Sequence, residues 1–179
     1  MCFLVVSEET KRKQSERLER ELVESERQIR YLAQHASVGL LHISLDGKII
    51  WGNDYYYRLI GQPRDALTHE YAFADVLIEE DYERAMSTWQ RLIDGERILS
   101  IGLRLKRQFI TPLGESEPAS VLSQAFPYIV DGDVKSIMCC TTDVSQLKWA
   151  EKYEARKAAD AQEAKRQQEE FIDLVSHEM

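Results

Sequence analysis

The chain has 179 residues, 44% hydrophobic and 30% charged, with a formal net charge of −8. That length suits one domain of ordinary size with helical arms, and no apolar run reaches the roughly 20 residues of a membrane span, so a soluble, cytoplasmic protein without a membrane partner is expected. The charged stretches 8–30 and 148–170 each balance acid against base, which leaves the surplus acid on the segment between them, a poor surface for a nucleic-acid backbone.

In chain order, the apolar run Met1-Cys2-Phe3-Leu4-Val5-Val6 meets acidic residues at once and makes a poor signal peptide. It echoes 137–151: in both places an apolar strand-like run reaches an acid (Glu8, Asp143), a hydroxyl two places on (Thr10, Ser145) and then a charged helix. Residues 1–7 therefore read as the closing strand of a preceding sensor domain, with coincidence between two strand-to-helix junctions as the alternative. Residues 8–36 read as a helix, since Lys11 to Ala36 contains no Gly or Pro. Steps of four and three bring Leu18, Leu22, Ser25, Ile29, Leu32 and Ala36 onto one stripe, a short heptad seam that predicts a parallel dimer. A single amphipathic helix folded back on its own domain is the alternative.

Residues 37–145 read as a mixed domain. Val38 to Leu45 is strand-like, Asp46-Gly47 is a hairpin signal, and Lys48 to Trp51 returns as a second strand. Asn53 or Asp54 can cap a first short helix, and helical pieces continue to Leu77, interrupted at Gly61-Gln62-Pro63. Asp81 is expected to cap an amphipathic helix with Ala85, Met86, Trp89, Leu92 and Ile93 on one face, ended by Gly95. Three strands follow, Arg97 to Phe109, Ser120 to Val130 and Val134 to Thr142, joined by a polar loop over 111–118 and a tight turn at Asp131-Gly132-Asp133. Pro127 predicts a bulge or an edge in the middle one. Adjacent Cys139 and Cys140 point to opposite faces of their strand, and with Cys2 they have no metal-ligand spacing, so no metal is expected and the thiols are read as reduced.

From Gln146 onward the chain runs to Ala, Glu, Lys, Arg and Gln with no Gly or Pro, the composition of one long helix. A second three-four rhythm carries Ala158, Ala161, Lys165, Gln168, Ile172, Val175 and Met179; small and polar occupants make this a weak seam. The helix ends in Phe171-Ile172-Asp173-Leu174-Val175-Ser176-His177-Glu178-Met179, which places an imidazole beside small and acidic neighbours.

Those closing residues resemble the phosphoacceptor box of sensor histidine kinases, and 165–173 with Leu147-Lys148-Trp149-Ala150-Glu151 is similar to the hybrid histidine kinases of filamentous fungi. The element order of 37–145, with Asp46-Gly47, Ile50, Asn53, Gly61, Asp81, Gly132 and Asp143-Val144-Ser145 in sequence, resembles a PAS domain. The resemblance implies an α+β fold: a five-stranded antiparallel sheet with short helices on one face, flanked by coiled-coil helices. One departure is the absence of the Trp that many such domains carry in the fourth strand. It also implies a division into a helix over 8–36, a sensor domain over 37–145, a signalling helix over 146–170 and the start of a histidine-phosphotransfer helix over 171–179. His177 would then be the phosphorylated residue, because a neutral imidazole can offer a ring nitrogen to a phosphoryl group, and Glu178 would orient the ring and take its proton. ATP would come from a kinase domain outside this chain, which alone is expected to be inactive; a response-regulator receiver would be the downstream partner.

Trp51, Tyr57, Phe73, Met86, Trp89 and Leu103 are candidates to line a small-molecule pocket, although aromatics more often simply fill cores. No cofactor is expected: flavin-binding relatives need a mid-domain Cys, and His69 is the lone candidate for haem. His35 and His42 are read as structural. Asp143 and Ser145 mark the junction through which a shift in the sheet would reach the final helix, while Leu18, Leu22, Ile29, Leu32, Ala158, Ala161, Ile172 and Val175 form the dimer seam. A passive dimerisation spacer and a light- or redox-sensing domain remain the rival functions.

Overall fold

The computed structural model describes residues 2–177, with side chains for 8–173. A long helix, α1 (Cys2–His35), leads into strands β1 (Gly39–Ser44) and β2 (Ile49–Gly52). Helices α2 (Asp54–Ile60), α3 (Ala72–Asp75) and α4 (Glu79–Ile93), with a short 3-10 turn at Arg64–Ala66, then cross one face of the sheet. Strands β3 (Leu99–Ile110), β4 (Ser116–Val130) and β5 (Asp133–Asp143) complete it, and α5 (Ser145–His177) departs. All pairings are antiparallel in the order β2-β1-β5-β4-β3, so the last strand lies in the middle, beside the first.

The expected α+β architecture is present, and alternation explains which face is buried. Leu41 and Ile43 of β1, Leu105 of β3, Val121 and Ala125 of β4 and Ile137 of β5 all point to the helical side. Against them pack Tyr56, Leu59 and Ile60 of α2, Ala72 and Ala74 of α3, and Ala85, Trp89 and Leu92 of α4. Each large side chain so buried contributes about 1.5–3 kcal/mol. The hairpin signal is real: Gly47 adopts φ +80°, and a Cβ there would lie 2.5 Å from the Tyr71 ring, so the turn needs glycine for conformation and for space.

Three expectations are corrected. The run Cys2–Val6 is not a strand; it forms the first turns of α1. A lone apolar strand leaves its backbone groups unpaired, whereas a helix pairs them within itself. The polar loop at 111–118 is shorter than expected, because Thr111, 3% exposed, closes it by accepting from Glu115 N at 3.1 Å through its hydroxyl, and β4 starts at Ser116. Pro127, by contrast, lies where expected: β3 pairs with β4 only as far as Ala125, and the register shifts at Tyr128/Ile129.

The third correction concerns Asp81. Ile78 holds the cap position of α4, and Asp81 sits in the first turn, 2% exposed. Its carboxylate accepts from Arg104 N at 2.7 Å, Arg104 Nη2 at 2.9 Å and Arg84 Nη2 at 3.1 Å, and so clamps the start of α4 to β3. Hydrogen bonds from the Arg104 side chain hold this carboxyl below the usual carboxylate range.

The two long helices are held differently. From residue 8 to 32 every described side chain of α1 is exposed, Leu22 at 61% and Ile29 at 65% among them. Arg12–Glu16 and Arg17–Glu21 pairs support the helix locally, each worth only about 0.3–0.5 kcal/mol.

Replacing Asp81 with Asn should lower unfolding stability by about 2–3 kcal/mol at pH 7, since it removes a charged acceptor from several donors. A carboxyl depressed in the folded state stabilises above its unfolded pKa near 4 and stops doing so as pH falls through its folded value. Urea unfolding of the two proteins should therefore converge below pH 4. A gap that stays constant from pH 7 to pH 2 contradicts the clamp.

Candidate functional site

Between α4 and the sheet lies a cavity of about 80 Å³. Its floor is Leu41, Leu103, Leu105, Val121 and Ala125; its roof is Phe73, Ala85, Trp89 and Leu92; Tyr56 and Ile60 of α2 close one side. Of the six pocket candidates, Phe73, Trp89 and Leu103 line it. Trp51 does not, because Leu41 and Ile43 face inward, and His42 with its cross-strand neighbour Trp51 must face outward. Tyr57 also turns away: each helical residue rotates about 100°, so Tyr56 takes the cavity while the Tyr57 ring covers Gly52 under the Arg64 guanidinium, 4.8 Å from its centroid. Met86 is half-buried on the neighbouring strip of α4, off the Ala85, Trp89 and Leu92 face.

Little of the wall is polar. Ser123 and Thr141 hydroxyls satisfy each other at 3.0 Å, and Thr88 Oγ1 donates to Arg84 O at 2.9 Å. Burial pushes the Cys139 thiol up to about 12 and raises the Tyr56 phenol, so both are neutral. Trp89, 5% exposed, has its indole Nε1 buried without a hydrogen-bond partner.

The second part of the site is where the long helices attach. Asn53, fully buried, spends all its hydrogen-bonding capacity there. Its Oδ1 accepts from Leu40 N and Tyr56 N, both at 3.0 Å; its Nδ2 donates to Val38 O at 2.9 Å and to Ala33 O at 2.7 Å. Ala33 belongs to the last turn of α1, whose carbonyls lack helical partners, so one amide caps α2 and ties α1 to the domain. Sequence alone suggests the cap; the bond to Ala33, 20 residues away, has no sequence signal.

At the other end Asp143 and Ser145 behave as a built junction. Asp143 Oδ1 accepts from Ser145 N at 2.9 Å and from Ser145 Oγ at 2.5 Å, while Ser145 Oγ accepts from Ser120 N at 2.9 Å. Arg107 Nη2 donates to Asp143 Oδ2 at 2.6 Å. The stem of Arg107 lies against Gly61, the residue that ends α2, with Cδ 3.4 Å from where a Cβ would stand. Sequence reasoning does not find Arg107, because a charged residue on the buried face of a strand reads as an interruption in the alternation rather than as part of a junction. Helix α2 therefore touches both anchors, Asn53 at its start and Arg107 at its end, and lends Tyr56 and Ile60 to the cavity between them.

The remaining candidates are placed as follows. His177 is the last described residue of α5, its side chain outside the described set; Glu178 and the side chain of Val175 also lie outside the described residues. Leu18, Leu22, Ile29, Leu32 and Ile172 are exposed large hydrophobics, and Ala158 and Ala161 are exposed as well. His42 bonds Ser136 Oγ at 2.7 Å, His35 donates to Tyr31 O at 2.8 Å, and His69 pairs with Asp75 at 2.5 Å on the surface, away from the cavity. No group of His, Cys, Asp or Glu suited to a metal occurs among the described residues, and no described helix is long and apolar enough to cross a membrane.

A family model described as the PAS fold matches residues 33–148. No match is found among the curated proteins. Among solved structures, a domain named for a light and redox sensing histidine kinase from Haloarcula marismortui superposes with a TM-score of 0.50 at 22% identity, covering 66% of this chain and 98% of that one. The PAS domain of an HTR-like protein from the same organism gives 0.53 at 14% identity over 72% of this chain and 98% of its own. A PAS domain from Colwellia psychrerythraea gives 0.54 at 14% over 66% and 96%. At these identities the likeness is one of fold.

Substituting Asn53 with Ala should cost about 3 kcal/mol or more, because it leaves several buried backbone groups unpaired. Hydrogen exchange should accelerate at Leu40 and Tyr56, whose N–H groups it accepts from. Unchanged protection at both amides contradicts the anchor. Cys139 should resist alkylation at pH 8 in the folded protein and react once urea unfolds it, as mass spectrometry can read; rapid native labelling contradicts a neutral thiol on the cavity wall.

Proposed function

The chain belongs to the PAS-fold family, and from that premise we propose that it is the signal-input module of a sensor histidine kinase, of the hybrid type found in filamentous fungi. The module works as a cytoplasmic homodimer, joined along the exposed seams of α1 and α5, and relays a conformational change to the phosphoacceptor His177. Glu178 orients the imidazole and accepts its proton. ATP is supplied by a kinase domain beyond this chain, and a receiver domain takes the phosphoryl group onward.

The observation that carries this reading is the bridge made by α2. Asn53 binds the last turn of α1, Arg107 packs on the end of α2 and pairs with Asp143, and Asp143 holds the first residue of α5. Movement of α2 against the sheet is thus felt at both helices, and α2 forms part of the cavity wall. A helix of 33 residues extends about 50 Å, long enough to carry a rotation far from the sheet. Its weak seam suits a switch, since two arrangements within a few kcal/mol can be biased by a modest input.

The rival spacer function is favoured by one feature, the modest size of the cavity. At about 80 Å³ it is well below the several hundred Å³ of sites that hold drug-sized ligands. The same size supports the expectation that neither flavin nor haem is the resident group. A redox role for Cys139 is disfavoured by the protonated state of its half-buried thiol.

One to seven residues inserted between Ala155 and Lys165 of the kinase should make autophosphorylation rise and fall with helical phase, because each residue turns the His177 face by about 100°. Phosphoryl incorporation should be abolished by His177→Gln. Arg107→Ala should change basal activity at least several-fold while circular dichroism stays unchanged. Uniform activity across the insertion series contradicts the relay.

A further inference from the structure

Each long helix carries a stripe that its own chain leaves uncovered. On α1, Leu18, Leu22, Ile29 and Leu32 are 59–69% exposed. On α5 the three-four rhythm of Ala158 and Ala161 runs back through Glu154 and Glu151 to Leu147, itself 58% exposed. The opposite side of α5 is occupied. Trp149 and Tyr153 are half-buried, Trp149 borders a groove with Phe109 and Pro118, and Lys152 Nζ donates to Glu117 Oε1 at 2.9 Å. Each residue turns about 100°, so Leu147, Glu154 and Ala158 point away from the β3–β4 hairpin. Helices draw most of their stability from packing an apolar face, so both stripes ask for a cover.

The attachment of the two helices sets their relative heights. Gly39 pairs with Thr141; α1 ends at His35, four residues before that pair, and α5 starts at Ser145, four residues after it. One helix thus runs towards the end of the sheet that the other leaves. Laid side by side, they match at equal counts from His35 and Ser145, to within about one turn. Leu22 and Ala158 both stand 13 residues out, Leu18 stands at 17 and Ala161 at 16, and Leu32 at 3 with Leu147 at 2. Ser25 at 10 meets Glu154 at 9, and Ser15 and Lys165 are both at 20. Large side chains therefore face small ones and polar residues face polar ones, with Ile29 against Glu151 as the exception. Parallel self-pairing of α5 would instead set Glu151, Glu154 and Lys165 each against the same charge on its own copy.

We propose that α1 of one copy packs antiparallel along α5 of a second copy, and reciprocally, so that the two chains share a bundle of four helices beyond their sheets. A second copy is the occupant because within one chain both stripes stay exposed. The pairing covers the apolar side chains of both helices at once and sets no charge against its like at Glu154 or Lys165. With 34 and 33 residues the helices are nearly equal in length, so the His177 end of α5 comes beside the first turn of its partner's α1. This deepens the homodimer proposed above and rests on it, specifying which seams meet and in which direction.

The test combines cross-linking with a change of charge. Leu22→Cys and Ala158→Cys chains, mixed and treated with a mild oxidant, should link position 22 of one copy to position 158 of the other, as mass spectrometry of the joined peptides reads. Each variant alone should give less than a tenth of that yield at its new position. Ser25→Arg should tighten the dimer at least three-fold by sedimentation, because the guanidinium meets Glu154 of the other copy; in a parallel α1 seam two Arg face each other and loosen it. The gain should shrink in high salt. Links between position 22 and position 22, a looser dimer with Ser25→Arg, or a 22-to-158 link inside one chain carrying both substitutions overturns the proposal. A dimer linked 22-to-22 leaves the homodimer standing, whereas a chain that sediments as a monomer at every concentration overturns both, so the two fail separately.

Discussion

The side-chain amide of Asn53 is the bond on which the rest of this structure depends. An amide has two donors and an acceptor with two lone pairs, and here all four point to backbone groups of different elements: β1, α2, the β1 approach and the last turn of α1. Because the residue is completely buried, any of those bonds that breaks leaves a polar group without water to replace it. A charged helix that packs little of its own surface is held to the domain by this means. The domain in turn owes the position of its first helix to the same four bonds.

The second anchor is built from different chemistry. Arg107, Asp143, Ser145 and the backbone of Ser120 form a cluster of ionic and hydroxyl bonds at the point where the central strand becomes α5. Since β5 lies beside β1, and Gly39 pairs with Thr141, the end of α1 and the start of α5 meet the sheet at the same end of its inner strands. Short α2 spans the gap between the two anchors on the helical face. The cavity is therefore placed beside α2, which Asn53 joins to the last turn of α1 and against whose end Arg107 packs, and the relay proposed above starts from that helix.

A third clamp, Asp81 with Arg104 and Arg84, fixes α4 to β3 and has no contact with either long helix. It holds the roof of the cavity against its floor.

How much of this was legible in the chain of residues depends on the range of the interaction. Helix and strand identity came through wherever period and punctuation agreed: the alternation of Leu99, Ile101, Leu103 and Leu105, the Asp46-Gly47 turn, and the unbroken run of helix formers after Gln146. Composition by itself also determined that the body is acidic and the arms neutral, and the resemblance to a phosphoacceptor box rests on the closing nine residues alone. The tertiary structure decided what pairing at a distance decides: that Asp81 clamps rather than caps, that Tyr56 and not Tyr57 meets the cavity, that Trp51 faces out, and that Arg107 completes the junction with Asp143. Cys2–Val6 shows the same division, since an apolar run is strand or helix according to whether a neighbouring strand exists to pair with it. Local pattern fixes what a residue can do through its own backbone; only the folded chain brings it the partner, 20 or 36 positions away, that settles which of those things it does.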